Sequence, residues 1–141
     1  MNPCAMMAVP RNMPNLQRYF DAVSATGLTR EAKLDLIANT FADDAVLIRT
    51  NGGSPLVGRD GVLAFYGSPA SPVMAREDFK PVPNMETLCA TADGHTIAVE
   101  IELPLANGGV AKVGDFFTFN GAGFISKLVI YSLPTQLADT I

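Results

Sequence analysis

From Thr96 to Ser132 the chain is written in the two-residue period of β structure, and glycine turns cut it into three long segments. Thr96–Leu105 sets Ile97, Val99, Ile101 and Leu103 against Ala98, Glu100 and Glu102. The turn Asn107-Gly108-Gly109 leads into Val110–Phe119, and Asn120-Gly121-Ala122-Gly123 leads into Phe124–Ser132. Strict alternation with short Gly-rich links predicts antiparallel neighbours with one buried face. The buried row of the middle segment is Ala111, Val113, Asp115, Phe117 and Phe119. An acid in such a row must be neutralised, paired or hydrogen-bonded, because burying a bare charge is prohibitive.

Upstream the period changes. Pro14 opens a predicted helix in which Leu16, Tyr19, Phe20 and Val23 share a face, and Gly27 ends it. Thr29 is placed to cap a second helix, with Leu34, Ile37, Ala38 and Phe41 at i, i+3, i+4 and i+7 and Asp43-Asp44 as its stop. Ala45–Thr50 reads as a short strand closed by Asn51-Gly52-Gly53, and Gly58–Tyr66 as a short third helix with Val62, Phe65 and Tyr66 toward the core. Gly67 to Pro83 is a proline-rich connection with a strand near Phe79, and Glu86–Thr91 is a further strand before the turn at Asp93-Gly94. Helices first and a meander last is the pattern of an α+β domain. Its expected bounds are 14–133, between an N-terminal arm (1–13) and a C-terminal tail (134–141).

Composition narrows the function. A net charge of −4 without a basic stripe argues against nucleic acid. Cys4 and Cys89 form no disulfide framework, and the lone His95, placed in an exposed turn, excludes a histidine-rich metal site; no metal or cofactor is expected. No stretch approaches a membrane span, and the N-terminus has no basic region preceding its short apolar patch, so a soluble, cytoplasmic protein is expected. The outward row Val110, Phe116, Val129 and Tyr131 is apolar enough to suggest a homodimer through the outer sheet face.

FADDAVL (41–47), VGRDGVLAFYGS (57–68) and DFFTFNGAGFISKLVIY (115–131) resemble the NTF2-like superfamily and, within it, the ketosteroid isomerase and SnoaL-like group. The resemblance implies a cystatin-like α+β barrel: a cone-shaped, curved antiparallel sheet wrapped by three helices, often dimeric. QRYF (17–20) is similar to the segment carrying the family's catalytic tyrosine, which falls on Tyr19. DFFTFNGAG (115–123) is similar to the segment carrying the oxyanion-hole aspartic acid, which falls on Asp115. FADDAVLIR (41–49) matches the segment ending in the general-base aspartate, where this chain has Arg49.

These residues point to an apolar pocket for a small hydrophobic ligand, with Tyr19 and Asp115 polarising a carbonyl or enolate oxygen. Arg49, Leu47, Phe65, Val113, Phe117, Leu128 and Ile130 are the candidate ligand contacts. Arg49 stays protonated and cannot serve as a base. It either snorkels to solvent, pairs with an ionised Asp115, or receives an anionic group of the ligand. Asp115 is accordingly a protonated donor, an acid–base group as in SnoaL-like cyclases, or a paired structural acid. A non-catalytic binding domain is the alternative from another class.

Overall fold

The computed structural model describes residues 10–132. Helix α1 (Met13–Val23) and helix α2 (Arg30–Ala38) precede strand β1 (Phe41–Arg49). Strand β2 (Leu56–Val57), helix α3 (Gly58–Tyr66) and the single turn α4 (Pro72–Ala75) follow. The chain then runs through β3 (Val82–Pro83), β4 (Cys89–Ala90), β5 (Thr96–Pro104), β6 (Val110–Phe119) and β7 (Ile125–Ser132). The result is an α+β domain on one curved, open sheet of order β2-β1-β7-β6-β5-β3, with β4 also on β5.

Strands β5 and β6 obey their alternation. In β5 Ile97, Val99 and Ile101 are buried while Glu100 and Glu102 are exposed. In β6 Asp115, Phe117 and Phe119 are buried and Phe116 is exposed. The β6–β7 turn is held by Asn120, whose Oδ1 accepts from the backbone N–H of Ala122 and Phe124 at 3.0 Å each. It closes through Gly123 at φ +88°, a conformation that favours glycine.

The start of the sheet differs from the sequence expectation. The second helix ends at Ala38, and Phe41, Asp43 and Asp44 belong to β1 instead of closing that helix. Strand β1 runs parallel to β7, so the sheet is antiparallel except at this pair. Its register shifts between Phe41 and Val46, and there Asp43 and Asp44 face solvent. The acid pair therefore marks an irregularity in a strand, where the charges stay hydrated. Phe79 lies outside any strand and is one of the most deeply buried side chains, and the expected strand 86–91 is reduced to β4.

Helix α2 is capped as expected, with Thr29 Oγ1 accepting from Ala32 N–H at 3.1 Å. Helix α1 lays Leu16, Tyr19, Phe20 and Val23 on the sheet. Ahead of it, Asn12 is buried and donates from Nδ2 to Gly94 O at 2.7 Å. His95 is half-buried, its Nε2 2.9 Å from Arg11 Nη2, instead of standing exposed in its turn. Apart from residues 10–13, the expected arm lies outside the described residues, as does the tail at 134–141. Among the described residues no helix is long and apolar enough to cross a membrane.

Phe117 is fully buried beneath α1, edge-on to Tyr19 at 4.9 Å and to Phe20 at 6.2 Å between ring centroids. Its replacement by alanine removes a packed ring from the centre of the core. Phe117→Ala is expected to lose about 3–5 kcal/mol of unfolding free energy. A urea midpoint shift worth less than about 1 kcal/mol would show that the helix–sheet contact is not what holds the domain.

Candidate active site

Strand register arranges the inner face of the sheet in rows. One row is Leu47 on β1, Leu128 on β7, Phe117 on β6 and Ile97 on β5. The next, two residues along, is Arg49, Ile130, Asp115 and Val99. The first row is sealed, with every member at most 1% exposed. The second opens, through Arg49, Ile130 and Asp115, onto a cavity of about 410 Å³. The roof and sides come from α1, α3 and the 68–81 connection, including Phe79, which was not foreseen as a pocket residue.

The expected contacts thus divide. Tyr19, Asp115, Arg49, Phe65, Val113 and Ile130 line the cavity. Leu47, Phe117 and Leu128 do not: they lie one row deeper, in the sealed core. Met74 and Met85 are also outside the lining. Asp115 is the carboxyl and Arg49 the cation of the lining among the described residues; its other side chains carry no charge.

Asp115 is 5% exposed, and its Oδ1 is buried without a hydrogen-bond partner. Desolvation against apolar neighbours pushes its carboxyl from 3.8 up to about 7. Arg49 does not relieve it. Among the described residues the ion pairs are Arg59–Asp35 and Arg76–Asp78, and neither involves Arg49 or Asp115. The pairing of Arg49 with an ionised Asp115, one of the sequence alternatives, is therefore absent from this structure.

Tyr19 brings a partner that the sequence did not reveal. Its hydroxyl lies 2.6 Å from that of Tyr66, at the end of α3, and both rings are buried. Burial, then the nearby Asp115, raises the Tyr19 hydroxyl above its ordinary range, while the bond to Tyr66 opposes the shift. Burial likewise pushes Tyr66 well up. Both hydroxyls stay protonated at neutral pH and can donate. When Tyr66 donates to Tyr19, the Tyr19 proton is left for a ligand oxygen. Helical spacing with Val62 showed only that Tyr66 faces the core; that it meets Tyr19 depends on how α3 packs.

A family model for the SnoaL-like domain matches residues 16–127. The chain belongs to the SnoaL-like family. No curated protein matches the sequence. Solved structures share its fold at low identity. The epoxide hydrolase/cyclase-like enzyme SalBIII, from pyran ring formation in polyether salinomycin, is 22% identical, with a TM-score of 0.66 over 88% of this chain and 92% of its own. The Δ5-3-ketosteroid isomerase from Mycobacterium sp. is 19% identical, with a TM-score of 0.63 over 89% and 95%. A Mycobacterium tuberculosis protein in complex with estradiol-17beta-hemisuccinate is 16% identical, with a TM-score of 0.63 over 89% and 95%.

The raised carboxyl has a consequence for stability. Below about pH 4 Asp115 is protonated in both the folded and unfolded chain. Between about pH 4 and 7 the unfolded chain releases the proton and the folded chain keeps it, so stability falls as pH rises; above about 7 the penalty is constant. Moving a carboxyl from 3.8 to about 7 corresponds to a penalty of up to about 4 kcal/mol. Asp115→Asn is expected to gain on wild type by up to that amount between about pH 4 and 8.5 in urea titrations. A difference between the two proteins that does not change with pH would mean that the carboxyl is not desolvated.

Proposed function

We propose that this protein is a small-molecule enzyme in which Asp115 exchanges a proton with an apolar substrate while the Tyr19–Tyr66 hydroxyl pair holds the substrate's oxygen. The supporting observation is the buried Asp115 Oδ1, unpartnered and on the wall of an apolar cavity that the two tyrosines also line. A carboxyl near 7 is matched to proton transfer at neutral pH. Donors aimed at an oxygen that gains negative charge stabilise the transition state more than the ground state.

Two uses of this geometry follow. With Asp115 ionised, it takes the proton from a substrate hydroxyl as that oxygen attacks an epoxide carbon. The epoxide C–O bond breaks, and the alkoxide, hydrogen-bonded by Tyr19, takes a proton back. That is a SnoaL-like cyclase reading, and SalBIII is described as epoxide hydrolase/cyclase-like. With Asp115 protonated, it and Tyr19 both donate to a carbonyl oxygen, as in the isomerase reading. That route needs a separate base, and the family's base position holds Arg49. No other carboxylate lines the cavity among the described residues: Glu77 accepts from Gly27 N–H at 2.7 Å, and Asp78 is exposed beside Arg76. The single acid of the lining favours the first use.

The same reading gives the protein a small hydrophobic ligand and a second copy of itself as partner. On the outer sheet face Val110, Phe116 and Tyr131 are 52%, 44% and 50% exposed, and the last two rings pack edge-to-face at 5.4 Å.

The direction of the pH–rate profile separates the two uses. An epoxy alcohol and a 3-oxo-Δ5 steroid are the substrates to assay. If Asp115 is the base, the rate rises with pH through about 7; if it is a donor, the rate falls through the same range. Asp115→Asn is expected to lower either rate at least about a hundredfold, and Tyr19→Phe about tenfold or more. Neither substrate turning over above buffer would reject the enzymatic reading and leave a binding domain.

A further inference from the structure

Arg49 stands at one end of a row whose middle is Ile130 and whose next member is Asp115, across three adjacent strands. With neighbouring strands about 4.8 Å apart, the two charged positions are separated by about 10 Å along the cavity wall. Arg49 lines the cavity and is half-buried. It rests on the 51–54 turn, where Gly53 leaves the room: a Cβ there would lie 2.5 Å from Arg49 Nη2. Nη2 has a 3.4 Å contact with Ser54 O, while Nε is buried and has no hydrogen-bond partner.

A guanidinium carries five donors in a planar fork that fits a carboxylate bidentately. Here one of those donors is buried and unused, and no carboxylate of the described residues pairs with the group. A charged fork with an unused donor is unfavourable when buried, and its remaining N–H groups are left for a ligand acceptor. We propose that the molecule held in this cavity carries a carboxylate that binds Arg49, at the end remote from the oxygen received by Tyr19. The inference rests on the reading of the cavity as a ligand site. The substrate class is then an apolar acid: a hydrophobic body over Ile130, Phe65 and Phe79, one charged end, and one neutral oxygen function. A single guanidinium, on a wall whose other ionisable carboxyl is Asp115, matches one negative charge better than a dianion such as a phosphate monoester.

Probes of matched shape isolate the charge. 1-Naphthylacetate and 4-biphenylacetate are titrated calorimetrically against their uncharged amides at about pH 6, where the acids are ionised and Asp115 is largely protonated. Wild type is expected to bind at least one acid roughly tenfold more tightly than its amide. Arg49→Met and Arg49→Gln are expected to bring that acid to the affinity of its amide. The preference is also expected to survive in Tyr19→Phe. No acid preference in wild type for either pair overturns the proposal, and so does a preference that persists in both Arg49 variants. Because binding is read without turnover, this outcome is separate from proton exchange at Asp115. Loss of the pH–rate dependence leaves the acid preference standing, and loss of the preference leaves the catalytic reading in place.

Discussion

Desolvation of one carboxyl is the constraint around which this molecule is arranged. Asp115 is placed by the alternation of β6 in a row of side chains that has to be buried, and among the described residues its Oδ1 has no hydrogen-bond partner. A charged group there is tolerated only by taking up a proton or by contact with something that enters the cavity. The nearby tyrosines do not remove that cost. Their hydroxyls bond to each other, and Asp115 raises both of them further. Burial thus holds all three groups toward their neutral forms.

The surrounding fold explains why such a group can exist without collapsing the domain. The row containing Leu47, Leu128 and Phe117 is packed solid, so stability is concentrated one step away from the cavity. The next row is left open because α3 and the 68–81 connection arch over it. Cavity and packed core are thus separated by two residues of strand, about 7 Å along the chain. Mutations in the two rows differ in kind: one empties a core, the other changes the electrostatics of a cavity.

Much of this was legible in the sequence because β alternation is a local signal. The inward parity of Asp115, Val113 and Arg49, and the helical face carrying Tyr19, follow from spacing alone. What was hidden depended on tertiary contacts. Phe41 fell at i+7 of an apparently helical pattern, yet belongs to a strand whose pairing with β7 is parallel and distant. Asp43-Asp44 gave the same signature as a helix stop, although it is a hydrated irregularity. Phe79 was isolated in a proline-rich run, with no periodicity to show that it would be buried. The depth of Leu47, Phe117 and Leu128 could not be read from parity either. Alternation says which face a side chain takes, while the helix above decides whether that face is open.

The parallel pairing of β1 with β7 has one further effect. The β5–β6–β7 meander is made of hairpins, which form quickly, whereas β1 joins it across eighty residues, as between Thr50 and Ile130. In the unfolded chain Asp115 is bathed in water and behaves as an ordinary carboxylate. Folding near neutral pH therefore shifts it toward its protonated form, and the assembly of the site is itself an acid–base event.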